Sequence, residues 1–355
     1  MTARPSGRPP VRILVAGAGL IGRAHIGRIL ADPDTGLAGI ADPSPGARDH
    51  AAALGVPWFE TLERGLDGAR PDGVILATPN QLHVAGGLAA IAASVPVLVE
   101  KPIAETVAGA VELAEASERT GVPVLVGHHR RHSPIAARAR AIVASGQLGR
   151  IVAVNGMSWL RKPDSGYFDG AGAWRREPGG GPILINLVHV VDDLRALCGD
   201  IVAVQAVASS ATRGFAVEDT AAVLFTFASG ALGTLALSDT AVGPWSWELT
   251  SGENKAYPAT GEACYLIAGT EAALSVPRLE LWRHEGAPHW FHPIAATRLV
   301  APEADPLVLQ LKHFAAVVRG EDKPLVDARS AARTLAATLA VSAAAASGGT
   351  VRPEL

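Results

Sequence analysis

The 355-residue sequence has few cysteines, little net charge and no long apolar run. Its two cysteines, Cys198 and Cys264, lie far apart and match no zinc-ligand spacing, so neither a disulfide framework nor a zinc site is predicted. The net charge is −3 with basic residues scattered along the chain, which argues against nucleic acid or an anionic membrane surface as the partner. No run reaches the roughly 18 apolar residues of a membrane span. We therefore expect a cytoplasmic protein with a small-molecule partner.

The length and composition predict two packed domains. Apolar residues make up 48% of the sequence and charged residues 18%, which is enough apolar material for well-formed cores. The proline-containing segment 1–10 is predicted to be a disordered tail. A change of pattern after Gly127 divides the remainder into a first domain, residues 11–127, and a second domain, residues 128–355.

Short apolar runs alternate with helical periodicity in the first domain. Such alternation predicts a doubly wound parallel sheet with helices on both faces, an α/β fold. The predicted strands are Val11–Ala16, Leu37–Ala41, Gly73–Ala77, Val97–Val99 and Val124–Val126, and the predicted helices are Leu20–Ala31, Ser44–Leu54, Gln81–Ala93 and Ile103–Thr120.

The second domain is predicted to be α+β and built on a largely antiparallel open sheet. Ser133-Pro134 starts a helix that runs to about Ser145, because a hydroxyl cap followed by proline is typical of a helix N-terminus. Two closing helices, beginning at Pro306 and after Asp327, are expected to pack back towards the first domain. The remaining elements are strands at Ile151–Val154, Val202–Ala208, Ala221–Phe227 and Ala231–Ser238 and a helix at Ile183–Leu197.

A glycine loop between the first strand and the first helix predicts a dinucleotide site. Gly17 permits the tight turn, Gly19 lets backbone amides approach a pyrophosphate, and Gly22 allows close packing of helix on strand; Leu20 and Ile21 complete the loop. Asp42 ends the second strand, where a carboxylate binds the ribose hydroxyls and repels a 2′-phosphate, so NAD is expected rather than NADP. The alternative is that Asp42 only starts the turn Asp42-Pro43-Ser44.

Four segments in this order and spacing resemble the Gfo/Idh/MocA family, which includes glucose-fructose oxidoreductase and inositol dehydrogenase. They are the glycine loop, Thr78-Pro79-Asn80 with His83, Glu100-Lys101-Pro102, and Gly179-Gly180-Gly181 followed by a helix bearing His189 and Asp192. The resemblance implies cofactor contacts at Thr78, Asn80, His83, Glu100 and Lys101. It also implies a homodimer or homotetramer that assembles through the exposed face of the second domain's sheet.

Lys101 and His189 are the predicted catalytic pair. Lys101 follows a strand at the carboxyl edge of the sheet, and the resemblance places the active-site lysine there, although a solvated lysine at a strand end is the alternative. Asn186, His189 and Asp193 share one face of an otherwise apolar helix, which indicates a polar cavity; a satisfied core histidine is the alternative. Many relatives carry an aspartate where this chain has Ile185, so Asn186 or Asp192 must support the histidine, and Asp192 is also expected to bind substrate.

Two further segments carry predicted substrate contacts. His129 and Arg130 lie in His128-His129-Arg130-Arg131-His132, which lacks the ligand set of a metal site and by resemblance joins the two domains. Tyr167, Trp174 and Arg175 precede the glycine run and are expected to form a loop over a sugar, with surface packing as the alternative.

The predicted reaction is hydride transfer between NAD and a secondary alcohol of a sugar, an inositol or a related polyol. His189 accepts the hydroxyl proton and Lys101 holds the same oxygen. An NAD-dependent glycosidase and a non-catalytic NAD sensor are the alternatives, and the presence of both Lys101 and His189 argues against the sensor.

Overall fold

The computed structural model describes residues 8–355, so most of the predicted tail, residues 1–7, lies outside the described residues. The chain forms two compact units. The first contains the residues up to His129 together with Pro306–Leu335 and Leu355, and the second contains Arg130–Asp305 and Ala336–Glu354.

The first unit confirms the predicted parallel sheet. Its strand order is β3-β2-β1-β4-β5-β6, and every pair of neighbours is parallel. The central strands are buried on both faces, which is why they read as continuous apolar runs. The elements are β1 Val11–Ala16, α1 Leu20–Ala31, β2 Thr35–Ala41, α2 Pro45–Leu54, β3 Trp58–Phe59, α3 Leu62–Ala69, β4 Gly73–Leu76, α4 His83–Ala92, β5 Val97–Val99, α5 Val107–Thr120 and β6 Val124–Val126.

Three details of the first unit differ from the sequence prediction. The short strand β3 and the helix α3 were not predicted. The helix expected from Ile103 begins instead at Val107, because Thr106 caps it by accepting a hydrogen bond from the Gly109 amide at 3.1 Å. The helix expected from Gln81 is preceded by a 3-10 turn, Asn80–Leu82, and its α-helical part, α4, begins at His83.

The second unit contains an eight-stranded sheet with the order β14-β13-β12-β11-β7-β10-β9-β8. All neighbours are antiparallel except β7 and β10, which confirms the largely antiparallel α+β prediction. The four strands after residue 264 were not predicted. The elements are α6 Pro134–Ala144, β7 Ile151–Trp159, α7 Val188–Cys198, β8 Ile201–Ser209, β9 Thr220–Phe227, β10 Leu232–Ser238, α8 Trp247–Thr250, β11 Tyr265–Gly269, β12 Ala273–Val276, β13 Glu280–His284 and β14 Ile294–Arg298.

One face of this sheet packs in the core of the second unit with α6 and α7, through buried residues such as Val154, Phe225 and Leu194. The other face carries exposed apolar side chains, among them Val207, Leu224, Leu232 and Leu266. The helix predicted over Ile183–Leu197 is not uniform: a π-helical turn, Ile183–Leu187, precedes α7. Such turns often occur at functional sites.

The closing helices are α9, Pro306–Val318, and α10, Ala328–Ser347. Leu311 and Phe314 of α9 belong to the core of the first unit, beside Ile26 and Ile29 of α1. Later residues of α10, such as Val341, belong to the core of the second unit. Within residues 8–355, no helix has the length and apolar character needed to cross a membrane.

Candidate functional site

The glycine loop has the geometry that a dinucleotide requires. Gly17 has a φ of +90°, and a Cβ there would lie 2.5 Å from the Ala77 carbonyl oxygen. A Cβ at Gly22 would lie 1.9 Å from the Gly17 carbonyl oxygen, so α1 can approach the loop only with glycine. At Gly19 no heavy atom lies within 4 Å of the Cβ position, which leaves open space beside the N-terminus of α1. This space fits the pyrophosphate of a dinucleotide.

Asp42 is joined to the glycine loop. Its Oδ2 atom accepts a hydrogen bond from the Ala18 amide at 2.7 Å, and its Oδ1 atom accepts one from the Ser44 amide at 2.8 Å. Burial raises the pKa of the Asp42 carboxyl, but the hydrogen bonds from Ser44 and Ala18 outweigh it, so the pKa lies below its ordinary value. Asp42 therefore does start the predicted turn, and it also places a negative charge at the loop. Leu20 is exposed and Ile21 half-buried.

Glu100 forms a buried pair with His25, a residue that the sequence analysis missed. The Glu100 Oε1 and His25 Nε2 atoms are 2.7 Å apart, and the His25 side chain is only 1% exposed. Burial raises the pKa of Glu100, but the contact with His25 and the charges of His129 and Lys101 together outweigh it, so the pKa is lowered. Oε2 accepts a hydrogen bond from the Lys101 amide at 3.2 Å. The carboxylate thus ties α1 to the backbone of Lys101, which is itself half-buried.

His83 connects the segments that follow β4 and β5. Its buried ring lies between two carbonyl oxygens, with Nδ1 2.8 Å from that of Pro102 and Nε2 3.0 Å from that of Thr78. Burial lowers the pKa of His83. Asn80 is half-buried in the adjoining 3-10 turn. The buried Thr78 Oγ1 has no hydrogen-bond partner among the described residues, as expected for a hydroxyl that contacts a ligand.

The helix of the second unit carries the predicted polar residues at buried positions. His189 and Asp192 are 7% and 1% exposed, and Asp192 Oδ1 lies 3.4 Å from Nη1 of Arg131. Asn186, in the π-helical turn, has a buried side-chain oxygen without a hydrogen-bond partner in residues 8–355. The buried amide oxygen of Asn186 can accept a hydrogen bond from a substrate hydroxyl. Arg131 was not predicted as a site residue, and its position in a cationic segment was the only sequence feature that pointed to it.

Arg130 forms hydrogen bonds in the interior of the second unit. Its guanidinium donates hydrogen bonds to Asp193 at 3.0 Å, Glu248 at 2.6 Å and the Tyr265 hydroxyl at 3.3 Å. Burial raises the pKa of Asp193 to about 6 although Arg130 opposes this. This placement gives no support to the predicted sugar contact of Arg130 and points to a role in holding α7. His129 is half-buried at the start of the 3-10 turn His129–His132.

The structure brings together Tyr167, Trp174 and Arg175. The Arg175 Cζ atom lies 4.4 Å from the ring centroid of Tyr167 and 4.8 Å from that of Trp174. Trp174 is 50% exposed. The three side chains therefore form one surface that a ligand could contact. In the described part of the chain, no group of three or more His, Cys, Asp or Glu side chains is arranged to hold a metal ion.

The chain is similar in sequence and fold to known oxidoreductases. It is 30% identical to the rhizopine catabolism protein MocA of Rhizobium meliloti over 53% of this chain, and that match spans 57% of the relative. It is 28% identical to 1,5-anhydro-D-fructose reductase of Ensifer adhaerens, with 78% of each chain covered. The solved structure of the WlbA dehydrogenase from Bordetella pertussis, in complex with NADH and UDP-GlcNAcA, is 25% identical with a TM-score of 0.77, covering 98% of this chain and 100% of that one.

Both parts of the chain also match models of one protein family. Residues 11–128 match the model of an oxidoreductase family with an NAD-binding Rossmann fold, and residues 136–275 match the GFO/IDH/MocA C-terminal domain. The glycine loop and its partner Asp42 lie in the first match, and the helix bearing His189 lies in the second. The chain therefore belongs to the GFO/IDH/MocA family of NAD-binding oxidoreductases.

Proposed function

We propose that this protein is a dehydrogenase that transfers a hydride between NAD and a CH–OH group of a sugar, an inositol or a related polyol. One observation carries the proposal. The carboxyl ends of the neighbouring strands β1, β4 and β5 bring the glycine loop, Thr78 and Lys101 to one edge of the sheet. A cofactor bound along that edge would have Lys101 at its reacting end. The similarity to 1,5-anhydro-D-fructose reductase supports a carbohydrate substrate.

NAD is the proposed cofactor. The open space beside Gly19 would take its pyrophosphate, the Asp42 carboxylate its ribose hydroxyls, and the Thr78 hydroxyl and Asn80 are further candidate contacts. Because hydrogen bonds lower the pKa of Asp42, its charge is present at neutral pH and would repel the 2′-phosphate of NADP. Glu100 and His83 act through the backbone that they hold rather than through the cofactor itself.

In the proposed chemistry the bound NAD supplies the hydride acceptor. Lys101 donates a hydrogen bond to the substrate oxygen and stabilises its developing charge. His189 accepts the hydroxyl proton, because an imidazole titrates near working pH. Asp192 orients the substrate or the imidazole, and the Asn186 oxygen accepts a hydrogen bond from a second hydroxyl. Tyr167 and Trp174 lie against the carbon skeleton, with His129 as a further contact.

We also propose that the protein is a cytoplasmic homodimer or homotetramer. Exposed Val207, Leu224, Leu232 and Leu266 give the open face of the sheet an apolar surface that a second copy would cover. The buried, unbridged cysteines Cys198 and Cys264 suit a reducing compartment.

The reaction is tested by following NADH absorbance with sugars, inositols, their acids and their phosphates as substrates. Replacement of Lys101 by alanine should leave NADH binding, measured by fluorescence, within about threefold and reduce turnover about a thousandfold or more. Lys255→Ala is the control, because this lysine is 80% exposed and should leave both values unchanged. Undiminished turnover in Lys101→Ala would refute the assigned role. A product without net NADH would identify a glycosidase instead.

A further inference from the structure

Two cationic side chains of the second unit lie over the same aromatic ring. The Lys162 Nζ atom is 5.1 Å from the centroid of Tyr167, and the Arg175 Cζ atom is 4.4 Å from it. Lys162 comes three residues after the end of β7, and Arg175 lies in the 3-10 segment Gly170–Arg176. Both charges therefore lie against the same ring, 5.1 Å and 4.4 Å from its centroid.

Neither cation has a carboxylate in contact. Among the described residues, no carboxylate oxygen lies within 4 Å of the Lys162 ammonium or the Arg175 guanidinium. The nearby acids are engaged elsewhere: Glu248 and Asp193 pair with Arg130, and Asp239 and Asp164 pair with Arg213. Arg130 and Arg213 are thus paired with carboxylates, whereas Lys162 and Arg175 lie against aromatic rings.

The backbone holds both cations in place. The Lys162 amide donates a hydrogen bond to the Asp239 carbonyl at 2.8 Å, and its carbonyl accepts one from Nη2 of Arg213 at 3.1 Å. The Arg175 guanidinium donates to the Tyr167 carbonyl at 3.2 Å. Gly180 packs so closely on Arg175 that a Cβ there would lie 2.5 Å from the Arg175 Cα. These contacts hold the backbone of Lys162 and the guanidinium of Arg175 in place before a ligand binds.

Lys162 and Arg175 are like charges in a partly buried setting. Burial lowers the pKa of Lys162, and the charge of Arg175 lowers it further, while Glu248 and Asp239 oppose this. Two like charges held near each other in a half-buried place repel unless an anion lies between them. An ammonium offers a point charge and a guanidinium offers a planar fork, and together they suit the oxygens of a carboxylate or a phosphate.

We propose that Lys162 and Arg175 bind an anionic group of the substrate, so that the substrate is a sugar acid or a sugar phosphate rather than a neutral polyol. This inference rests on the proposed dehydrogenase function and narrows its substrate class. Tyr167, which both cations contact, and Trp174 contact the carbon skeleton next to the anionic group. Electrostatic contacts connect the pair to the helix of His189, because Glu248 acts on Lys162 and also pairs with Arg130, which binds Asp193 of α7.

The test compares matched neutral and anionic substrates. D-Glucose, D-gluconate, D-glucuronate and D-glucose 6-phosphate, and myo-inositol with its 1-phosphate, are assayed with NAD in the wild type, Lys162→Met, Arg175→Gln and the control Lys255→Met. We expect the highest kcat/KM for an anionic member of the panel. Whether that member is an acid or a phosphate identifies the group that the site binds. Each site variant should lower that value about tenfold to a hundredfold, mainly through KM, and should lower kcat/KM for the matched neutral substrate by a clearly smaller factor. Lys255→Met should change neither.

The proposal is overturned if the wild type prefers neutral substrates, or if both site variants lower kcat/KM for neutral and anionic substrates by the same factor. Failure of the dehydrogenase function looks different, because no member of the panel would then yield NADH. In that case calorimetry with the NADH-bound protein and the same compounds decides the site. Binding of an acid or phosphate that weakens at least about tenfold in Lys162→Met supports it, and the absence of charge-dependent binding overturns it.

Discussion

The imidazole of His25, on the first helix of the dinucleotide-binding fold, lies 2.7 Å from the carboxylate of Glu100, the residue immediately before Lys101. The same carboxylate accepts a hydrogen bond from the Lys101 amide. One buried contact therefore joins the helix that follows the glycine loop to the backbone of the proposed catalytic lysine. We infer that this pair positions the backbone of Lys101.

Replacement of Glu100 by glutamine tests that role. Loss of the charged contact with His25 should lower the free energy of unfolding by about 1 to 3 kcal/mol. It should also lower kcat about tenfold while NADH affinity changes less than about threefold, because the lysine is displaced and the glycine loop is not. Thermal unfolding, steady-state kinetics and NADH fluorescence give the three values. Glu118→Gln, at an exposed ion pair with Arg329, is the control and should change none of them. Equal kcat in the two variants would contradict a positioning role.

The glycine loop provides a matched pair of variants. Gly19→Ala should fold normally, because the residue has φ −72° and its Cβ would meet no atom, yet it should weaken NADH binding about tenfold or more by filling the pyrophosphate space. Gly22→Ala should instead lower the thermal midpoint strongly, since its Cβ would lie 1.9 Å from the Gly17 carbonyl oxygen. Unchanged NADH affinity in Gly19→Ala would place the cofactor elsewhere.

Asp42 should decide the choice between NAD and NADP. Asp42→Ser removes the negative charge beside Ala18, so the ratio of NAD to NADP affinity should fall about tenfold or more. Titration of both cofactors by fluorescence measures the ratio. Asp49→Asn, an exposed change on α2, provides the control. An unchanged preference for NAD over NADP in Asp42→Ser would show that other residues distinguish the two cofactors at the ribose.

Glu253 predicts a pH dependence of stability. Its carboxylate accepts hydrogen bonds from the Ser133 hydroxyl and, at 3.1 Å, from the Trp247 indole, and burial raises its pKa from 4.5 to about 7. A raised carboxyl pKa contributes stability that is complete below the unfolded value and is lost as the pH rises through the folded value. The thermal midpoint of the wild type should therefore fall more between pH 5 and 8 than that of Glu253→Gln. The exposed variant Glu262→Gln should follow the wild type, and parallel curves for Glu253→Gln would disprove the assignment.

The proposed assembly surface is tested by introducing a charged side chain into it. Leu224→Glu, at a side chain 51% exposed on the open sheet face, should reduce the mass in light scattering to that of a monomer. Leu30→Glu, 52% exposed on α1, should leave the mass unchanged. A monomeric wild type would also refute the assembly.

Local patterns predicted five of the six strands of the first unit, but they missed β3, α3 and the contacts that hold its site. Runs such as Val97–Val99 are buried on both faces, so sequence alone identified them as parallel strands. The His25 and Glu100 pair escaped prediction because its partners lie 75 residues apart, and no local pattern links two such positions. Arg130 was expected to contact a sugar because the resembling family places polar residues that face the substrate at this domain junction. Its acidic partners Asp193 and Glu248 come from distant segments that only the fold brings together.

The π-helical turn Ile183–Leu187 has a consequence for comparing this chain with its relatives. An α-helix advances about 100° per residue, so the one extra residue in a π turn rotates everything before it by about that angle relative to α7. Ile185 and Asn186 both lie in this turn, before the first residue of α7. Deleting Leu187, which lies between Asn186 and α7, would rotate Asn186 to another face while leaving the sequence of α7 and His189 unchanged, so substrate selectivity can diverge here without any change in the catalytic pair.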